Sequence, residues 1–107
     1  MRRYGSVARL RPGGYDAYKR LHAETWPSVL AIIEACNIRN YSIYHHDGWL
    51  FSYFEYVGED FENDMAKMAA DKTTQQWWEV VTPPLESWGP REEGKWWMDC
   101  EELFHTD

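Results

Sequence analysis

The strongest constraint on the fold is a tight turn near the middle of the chain, at Asp47-Gly48. It separates two strand-like segments, Ile38–His45 and Trp49–Tyr56, and an Asp-Gly pair in this position is typical of a two-residue β-hairpin. A helical pattern lies on either side of the hairpin, and a further strand-like segment flanks each helical pattern at its outer end. The predicted order is therefore β-α-β-β-α-β.

The outer strands are predicted at Arg3–Leu10 and Lys95–His105. The first helical pattern runs from Tyr15 to about Ala35, with Pro27 inside it. A proline at this point either kinks one long helix or begins a second helix as its first residue, because proline lacks the N–H that an interior helical position requires.

The second helical pattern, which follows the hairpin, is interrupted near Asp71. Asp71 or Thr73 can cap one more helical segment, from about Thr74 to Val81. Pro83-Pro84 ends that segment, and residues 85 to 94 are predicted to form a long polar loop.

This order is typical of the ferredoxin-like α+β fold, in which helices cover one face of an antiparallel four-stranded sheet. A chain of 107 residues has room for one domain, over residues 1–107. Aromatic residues make up 17% of it, with seven Trp and seven Tyr, which is more than so small a core can hide. The uncovered sheet face would be too apolar to remain in water. We therefore expect a homodimer with facing sheets, a dimeric α/β barrel.

Charge and cysteine content exclude several classes of protein. The net charge of −7 argues against nucleic-acid binding, which needs a basic surface. We expect no membrane segment and no signal peptide, since the apolar runs are short. The two cysteines, Cys36 and Cys100, are too few for a disulfide scaffold, so a reducing, cytoplasmic location is expected.

Tyr18, His22 and Trp26 have a spacing that suits chemistry. At i, i+4 and i+8 they would share one face of a continuous helix. Such a row can present a phenol, an imidazole and an indole to one cavity, and histidine exchanges protons near neutral pH. The alternative is an amphipathic helix whose aromatic stripe belongs to the core.

Two further motifs are candidate sites, one as a ligand-binding wall and one as a metal site. In a helix, Trp77 and Trp78 diverge by about 100°, so one ring can pack in the core while the other faces a pocket. His45, His46 and Asp47 lie on a turn too tight to wrap an ion, so no metal site is predicted.

Together these residues resemble the L-rhamnose mutarotase family along nearly the whole chain. The motifs that carry the resemblance are Tyr18-x-x-x-His22-x-x-x-Trp26-Pro27, Asn40-Tyr41-Ser42-Ile43, Gln76-Trp77-Trp78 and Glu102-Leu103-Phe104-His105. The resemblance implies a dimeric α+β barrel without metal or organic cofactor. It also implies an enzyme that interconverts the α and β anomers of a deoxysugar.

By this resemblance His22 matches the proton-donating histidine of the family. The sugar-binding positions are matched by Tyr18, Tyr41, Trp77 and Trp78. Residues 83–90 depart from the Asn-Pro-Asp-Asn-Ser-Pro-like stretch of many members. L-fucose or another 6-deoxy sugar is therefore an alternative substrate to L-rhamnose.

Other functions remain open on the same residues, because one fold serves many activities. A cofactor-free or haem-dependent monooxygenase could share the dimeric fold, with His22 as the haem ligand. A non-catalytic sugar-binding module would use the aromatic residues alone. If the protein is a mutarotase, His105 on the last strand is a candidate for a second catalytic participant.

Overall fold

The fold was analysed on a computed structural model that describes residues 1–87 and 96–107. These residues form five strands and four helices. In chain order they are β1 (Arg2–Leu10), α1 (Tyr15–Ala23), α2 (Pro27–Ala35), β2 (Ile38–His46), β3 (Trp49–Tyr56), α3 (Phe61–Ala70), α4 (Lys72–Val81), β4 (Leu85–Glu86) and β5 (Met98–Cys100).

The strands form one antiparallel sheet in the order β2-β3-β1-β4. The last strand, β5, also pairs with β1. The predicted α+β, ferredoxin-like architecture is confirmed. One cluster of the hydrophobic core contains Tyr18 of α1 together with Ala8 and Leu50 of the sheet. A second cluster, in which Val29 of α2 meets Trp77 of α4, joins the two helices.

Local sequence signals explain where several elements begin and end. Asp47 and Gly48 have φ angles of 50° and 81°, which suit a two-residue hairpin turn. Pro27 begins α2 rather than kinking one helix, and Trp26 before it is extended, as residues before proline usually are. Asp71 caps α4, because its carboxylate accepts a hydrogen bond from the Thr74 N–H at 2.8 Å.

A β-bulge interrupts the alternation of β2. Arg39 lies opposite Glu55 and Ser42 opposite Tyr53, so two residues of β2 share one partner on β3. Asn40 takes the left-handed conformation there, with φ at 51°. The extra residue turns Tyr41 to the same face of the sheet as the buried Ile38, although strict alternation would place these two side chains on opposite faces.

The C-terminal strand and the preceding loop differ from the prediction. Within the described part of the predicted range 95–105, only Met98–Cys100 is a strand, and it pairs with Val7, Ser6 and Gly5 of β1. After it, Arg3 still donates two hydrogen bonds to Glu102. The predicted loop begins instead with the short strand β4, and residues 88–95 lie outside the described residues.

The sheet face opposite the helices carries an apolar row. Cross-strand register aligns Tyr44 with Phe51, Phe51 with Val7, and Val7 with Met98. Tyr44 is 66% and Phe51 45% exposed. The row therefore spans four strands; Tyr44 and Phe51 are exposed, and Val7 and Met98 are half-buried. No helix of the described residues is long and apolar enough to cross a bilayer.

Candidate active site

The first part of the site lies on α1. The rings of Tyr18 and His22, one helical turn apart, stack with their centroids 4.1 Å from each other. Tyr18 is buried, and burial together with the nearby Tyr41 hydroxyl raises its pKa, so the phenol keeps its proton. Trp26 does not continue this row as the spacing predicted, because α1 ends at Ala23. Its ring reaches the site by another route, against Trp77 at 5.2 Å.

His22 is held by main-chain contacts of its own helix. Its Nδ1 lies 3.0 Å from the carbonyl oxygen of Tyr18. The Thr25 hydroxyl donates to the His22 carbonyl at 3.0 Å, just after the helix ends. Burial lowers the pKa of His22, and the hydrogen bond to Tyr18 offsets part of that effect. The imidazole is therefore neutral over more of the physiological pH range than a free histidine would be.

The adjacent tryptophans of α4 differ in burial, as their spacing predicted. Trp77 is buried, with 6% of its surface exposed, and meets His22 edge-on at 5.5 Å. Trp78 is 43% exposed. The pattern arises because α4 is amphipathic, with Thr74, Trp77 and Val81 as its buried residues.

Tyr41 joins the site from the sheet, and the bulge in β2 is what brings it there. Its ring packs edge-on against Phe54 at 5.7 Å. Although 46% of the side chain is exposed, burial of the hydroxyl raises the pKa of Tyr41. Like Tyr18, it therefore keeps its phenolic proton at neutral pH.

Two neighbouring cavities connect these residues. The His22 cavity, of about 320 Å³, is lined by His22, Thr25, Val29, Leu30, Ile33, Tyr41, Ile43 and Trp77. The Trp78 cavity, of about 290 Å³, has Tyr41, Trp77 and Trp78 in its wall. Since Tyr41 and Trp77 line both, the two cavities are adjacent and share a wall. Their sizes suit a small-molecule ligand.

Tyr18 lines neither the His22 cavity nor the Trp78 cavity. It lines a cavity of about 210 Å³ with His22 and His45 and another of about 360 Å³ with Trp78. Its ring also stacks on the imidazole of His22. Of the five predicted site residues, His22, Tyr41 and Trp77 meet in one cavity, while Trp78 and Tyr18 line other cavities that share residues with it.

Neither His105 nor His45 lines the His22 cavity. His105 is exposed, and its Nε2 lies 2.8 Å from an Asp107 carboxylate oxygen; it lines an open cleft that contains none of the five predicted site residues. His45 stacks on Tyr15, and its Nε2 accepts a hydrogen bond from the Gly48 N–H. A catalytic part for His105 therefore has no support from the geometry of this chain.

The site prediction missed two aromatic residues of the Trp78 cavity, Phe54 and Trp97. Trp97 precedes Met98, which lies on the outer face of the sheet, so alternation directs Trp97 toward the helices. The adjacent pair Trp96-Trp97 before a strand was the available signal. Phe54 could not be separated by sequence from the other aromatic residues of its strand.

The chain is similar in sequence to proteins of one known family. A family model described as L-rhamnose mutarotase matches residues 3–106. The L-rhamnose mutarotase of Oceanobacillus iheyensis is 31% identical over 107 residues, which cover both chains completely. That of Listeria monocytogenes is 32% identical over 87 residues, covering 81% of this chain and 83% of its own.

Two solved structures share the fold. The crystal structure of an L-rhamnose mutarotase from Formosa agariphila superposes with a TM-score of 0.79 at 20% identity, over the full length of both chains. The tetracenomycin F2 cyclase of Streptomyces glaucescens superposes with a TM-score of 0.67 at 15% identity, again over both full chains. Both likenesses concern fold alone, whereas the family match extends along nearly the whole sequence. With its imidazole, phenol and indole around one cavity, the chain therefore belongs to the L-rhamnose mutarotase family, a family of carbohydrate isomerases.

Proposed function

We propose that this protein is a sugar mutarotase that interconverts the α and β anomers of a 6-deoxy sugar, with L-rhamnose as its first candidate substrate. The single observation that carries the proposal is the convergence of His22, Tyr41 and Trp77 on one cavity in a member of this family. Mutarotation takes a proton from the anomeric hydroxyl and gives one to the ring oxygen. Those three side chains supply proton-transferring groups and an apolar wall.

A deoxysugar matches the chemistry of the cavity walls. Its methyl group and C–H faces suit the indole rings of Trp77 and Trp78, and its hydroxyls need hydrogen-bonding partners such as Tyr41 and Tyr18. His22 is the residue that transfers protons, and a positioned group of this kind accelerates such a reaction by roughly 10²–10⁴-fold. We assign substrate binding to Tyr18, Tyr41, Trp77 and Trp78.

The choice between L-rhamnose and L-fucose depends on the segment that follows α4. The family resemblance implies an Asn-Pro-Asp-Asn-Ser-Pro-like stretch there, and residues 83–90 depart from it. Pro84 is buried, and its carbonyl oxygen accepts a hydrogen bond from the Arg11 N–H at 2.8 Å, so this part of the segment is anchored beside β1. L-fucose is the alternative substrate, and both sugars belong in the first assay.

We infer that the active form is a homodimer. The apolar row of Tyr44, Phe51, Val7 and Met98 is a partly exposed apolar surface larger than isolated surface residues would make. A second copy of the same face would bury it. A cytoplasmic location accords with both cysteines being free thiols.

The decisive experiment is saturation-transfer NMR of anomer exchange with L-rhamnose, L-fucose and unrelated sugars. We expect the parent protein to accelerate exchange of a 6-deoxy sugar and His22→Asn to lose roughly 10²-fold or more of that rate while keeping sugar affinity. His46→Asn is the matched control, because His46 is exposed near the hairpin turn and lies outside the proposed site. Equal exchange by parent and His22→Asn, at equal dimer content, would refute the assignment.

A further inference from the structure

The geometry points to a division of labour in which His22 is the base of ring opening and Tyr41 is the acid. This inference rests on the proposed mutarotase function and adds to it, because it assigns both proton transfers and their direction. The family resemblance implies that His22 is a proton donor. In this scheme His22 donates its proton during ring closing.

His22 Nδ1 and the Tyr18 carbonyl oxygen form a hydrogen bond and lie 3.0 Å apart. A carbonyl oxygen only accepts, so Nδ1 must carry the proton. In the neutral ring, Nε2 then has a lone pair and no hydrogen. Because Nδ1 is bound to the main chain of its own helix, Nε2 is the nitrogen left for a substrate. It can accept a proton from an anomeric hydroxyl but has none to donate.

The surroundings of His22 favour this neutral form. The titratable side chains that line the cavities bordered by the ring come from α1 and β2 and are Tyr15, Tyr18, Lys19, Tyr41, Tyr44 and His45. Among the described residues lining these two cavities there is no carboxylate. No carboxylate there would stabilise an imidazolium, and in the described part of the chain the hydrogen bond to the Tyr18 carbonyl is the one contact that favours the charged form. Burial favours the neutral form and lowers the pKa of His22.

Tyr41 is the proton donor that fits. Its ring lines the His22 cavity together with His22 and Trp77, whereas Tyr18 stacks on the imidazole and lines other cavities. Burial of the hydroxyl raises the pKa of Tyr41, so its O–H is present at neutral pH. Tyr41 also lines the adjoining Trp78 cavity, so its hydroxyl serves a sugar lying across both.

The proton transfers balance in each direction. On opening, Nε2 of His22 takes the proton of the anomeric hydroxyl, the O1 electron pair forms the C1=O bond, and the C1–O5 bond breaks. O5 takes the proton of the Tyr41 hydroxyl, which leaves an open-chain aldehyde, a phenolate and an imidazolium. After rotation about C1–C2, O5 attacks the other face of C1 and returns its proton to the phenolate. The imidazolium returns its proton to O1, and both side chains regain their starting forms.

The tautomer of His22 can be read without any activity measurement. We expect two-dimensional ¹⁵N–¹H NMR of the labelled full chain at neutral pH to show a protonated, pyrrole-type Nδ1 and an unprotonated, pyridine-type Nε2. The His22→Asn variant identifies the signals, and His46→Asn is the control that leaves them in place. A proton on Nε2 with none on Nδ1 would overturn the inference, whether or not the protein catalyses exchange.

The pH dependence of exchange separates the inference from the proposed function. With His22 as the base, the catalysed rate, after subtraction of the spontaneous rate, should fall as pH drops through the pKa of His22 and be level above it. A rate that rises as pH falls through that pKa would leave the mutarotase function standing and refute the inference. Absence of catalysis with every sugar at every pH would instead refute the function, while the tautomer test still stands.

The proposed acid is tested by Tyr41→Phe, which removes only the hydroxyl. We expect exchange to fall by roughly 10²-fold or more with sugar affinity much less affected. Tyr4→Phe is the matched control, since Tyr4 stacks between Phe54 and Phe61 away from the His22 cavity. Parental exchange in Tyr41→Phe, or an equal loss in the control, would remove Tyr41 from the mechanism.

Discussion

Replacing Trp78 by alanine removes the more exposed of two adjacent indoles, and the size of its effect can be worked out from its exposure. The side chain leaves 43% of its surface open to solvent. For a residue of roughly 250 Å², this is about 100 Å². A sugar covering half of it would remove about 50 Å² from water, worth about 1.3 kcal/mol at about 25 cal/mol/Å². We therefore expect Trp78→Ala to weaken sugar binding by about tenfold.

Trp77→Ala is the matched comparison, because it removes the buried neighbour of Trp78. Trp77 is buried against Trp26, Val29 and Val81, so its removal leaves a cavity in the cluster that joins α2 to α4. Truncations of this kind cost about 3–5 kcal/mol of unfolding free energy. Trp78→Ala should cost much less, because about half of the ring contacts only water.

Two measurements on the same samples test the pair. Chemical denaturation monitored by circular dichroism gives the free energy of unfolding, and titration calorimetry with the sugar gives the Kd. Trp78→Ala should move mainly the Kd, and Trp77→Ala mainly the stability. Parental affinity in Trp78→Ala would show that the sugar does not contact this indole, and a similar stability loss in both variants would contradict the burial argument.

Three further outcomes are expected. Phe51→Glu should convert dimers to monomers in light scattering at micromolar concentration, and a parent that is already monomeric would contradict the dimer. Gly14→Ala should cost about 1–3 kcal/mol in denaturant titrations, because its Cβ would lie 2.6 Å from the Pro84 carbonyl oxygen; unchanged stability would contradict this close packing. The hydrogen bond from the Tyr56 hydroxyl holds the pKa of Asp64 below its ordinary value, so stability should decline as pH falls through about 4 and continue to decline to the lower folded pKa. Asp64→Asn should flatten that decline. An identical loss of stability at low pH in parent and variant would refute the role of Asp64.

Much of the site was predictable because its chemistry lies in short motifs. His22 and Tyr18 are one helical turn apart in sequence, so their contact follows from the helix itself. The different environments of Trp77 and Trp78 follow from the angular step of a helix. The meeting of Tyr41 with His22 was implied only by family resemblance, because the two are brought together by packing of β2 against α1.

The sequence by itself determined the features that depend on the nearest neighbours in the chain. The Asp47-Gly48 hairpin rests on the φ preferences of two residues. The helix boundary at Pro27 and the cap before α4 are also local, although the sequence left two alternatives at each and the structure selects the start of α2 at Pro27 and the cap at Asp71. These energies are local, so the sequence predicts each feature to within those alternatives.

Only the tertiary structure decided the features that depend on which surfaces meet. The bulge at Asn40 turns Tyr41 toward the helices, and the break after Ala23 sends Trp26 to Trp77 rather than along α1. The short β5 depends on its pairing with Gly5, Ser6 and Val7 of β1, which are distant in sequence. The neutral state of His22 likewise depends on burial by residues far away in sequence, and desolvation cannot be read from a helical spacing.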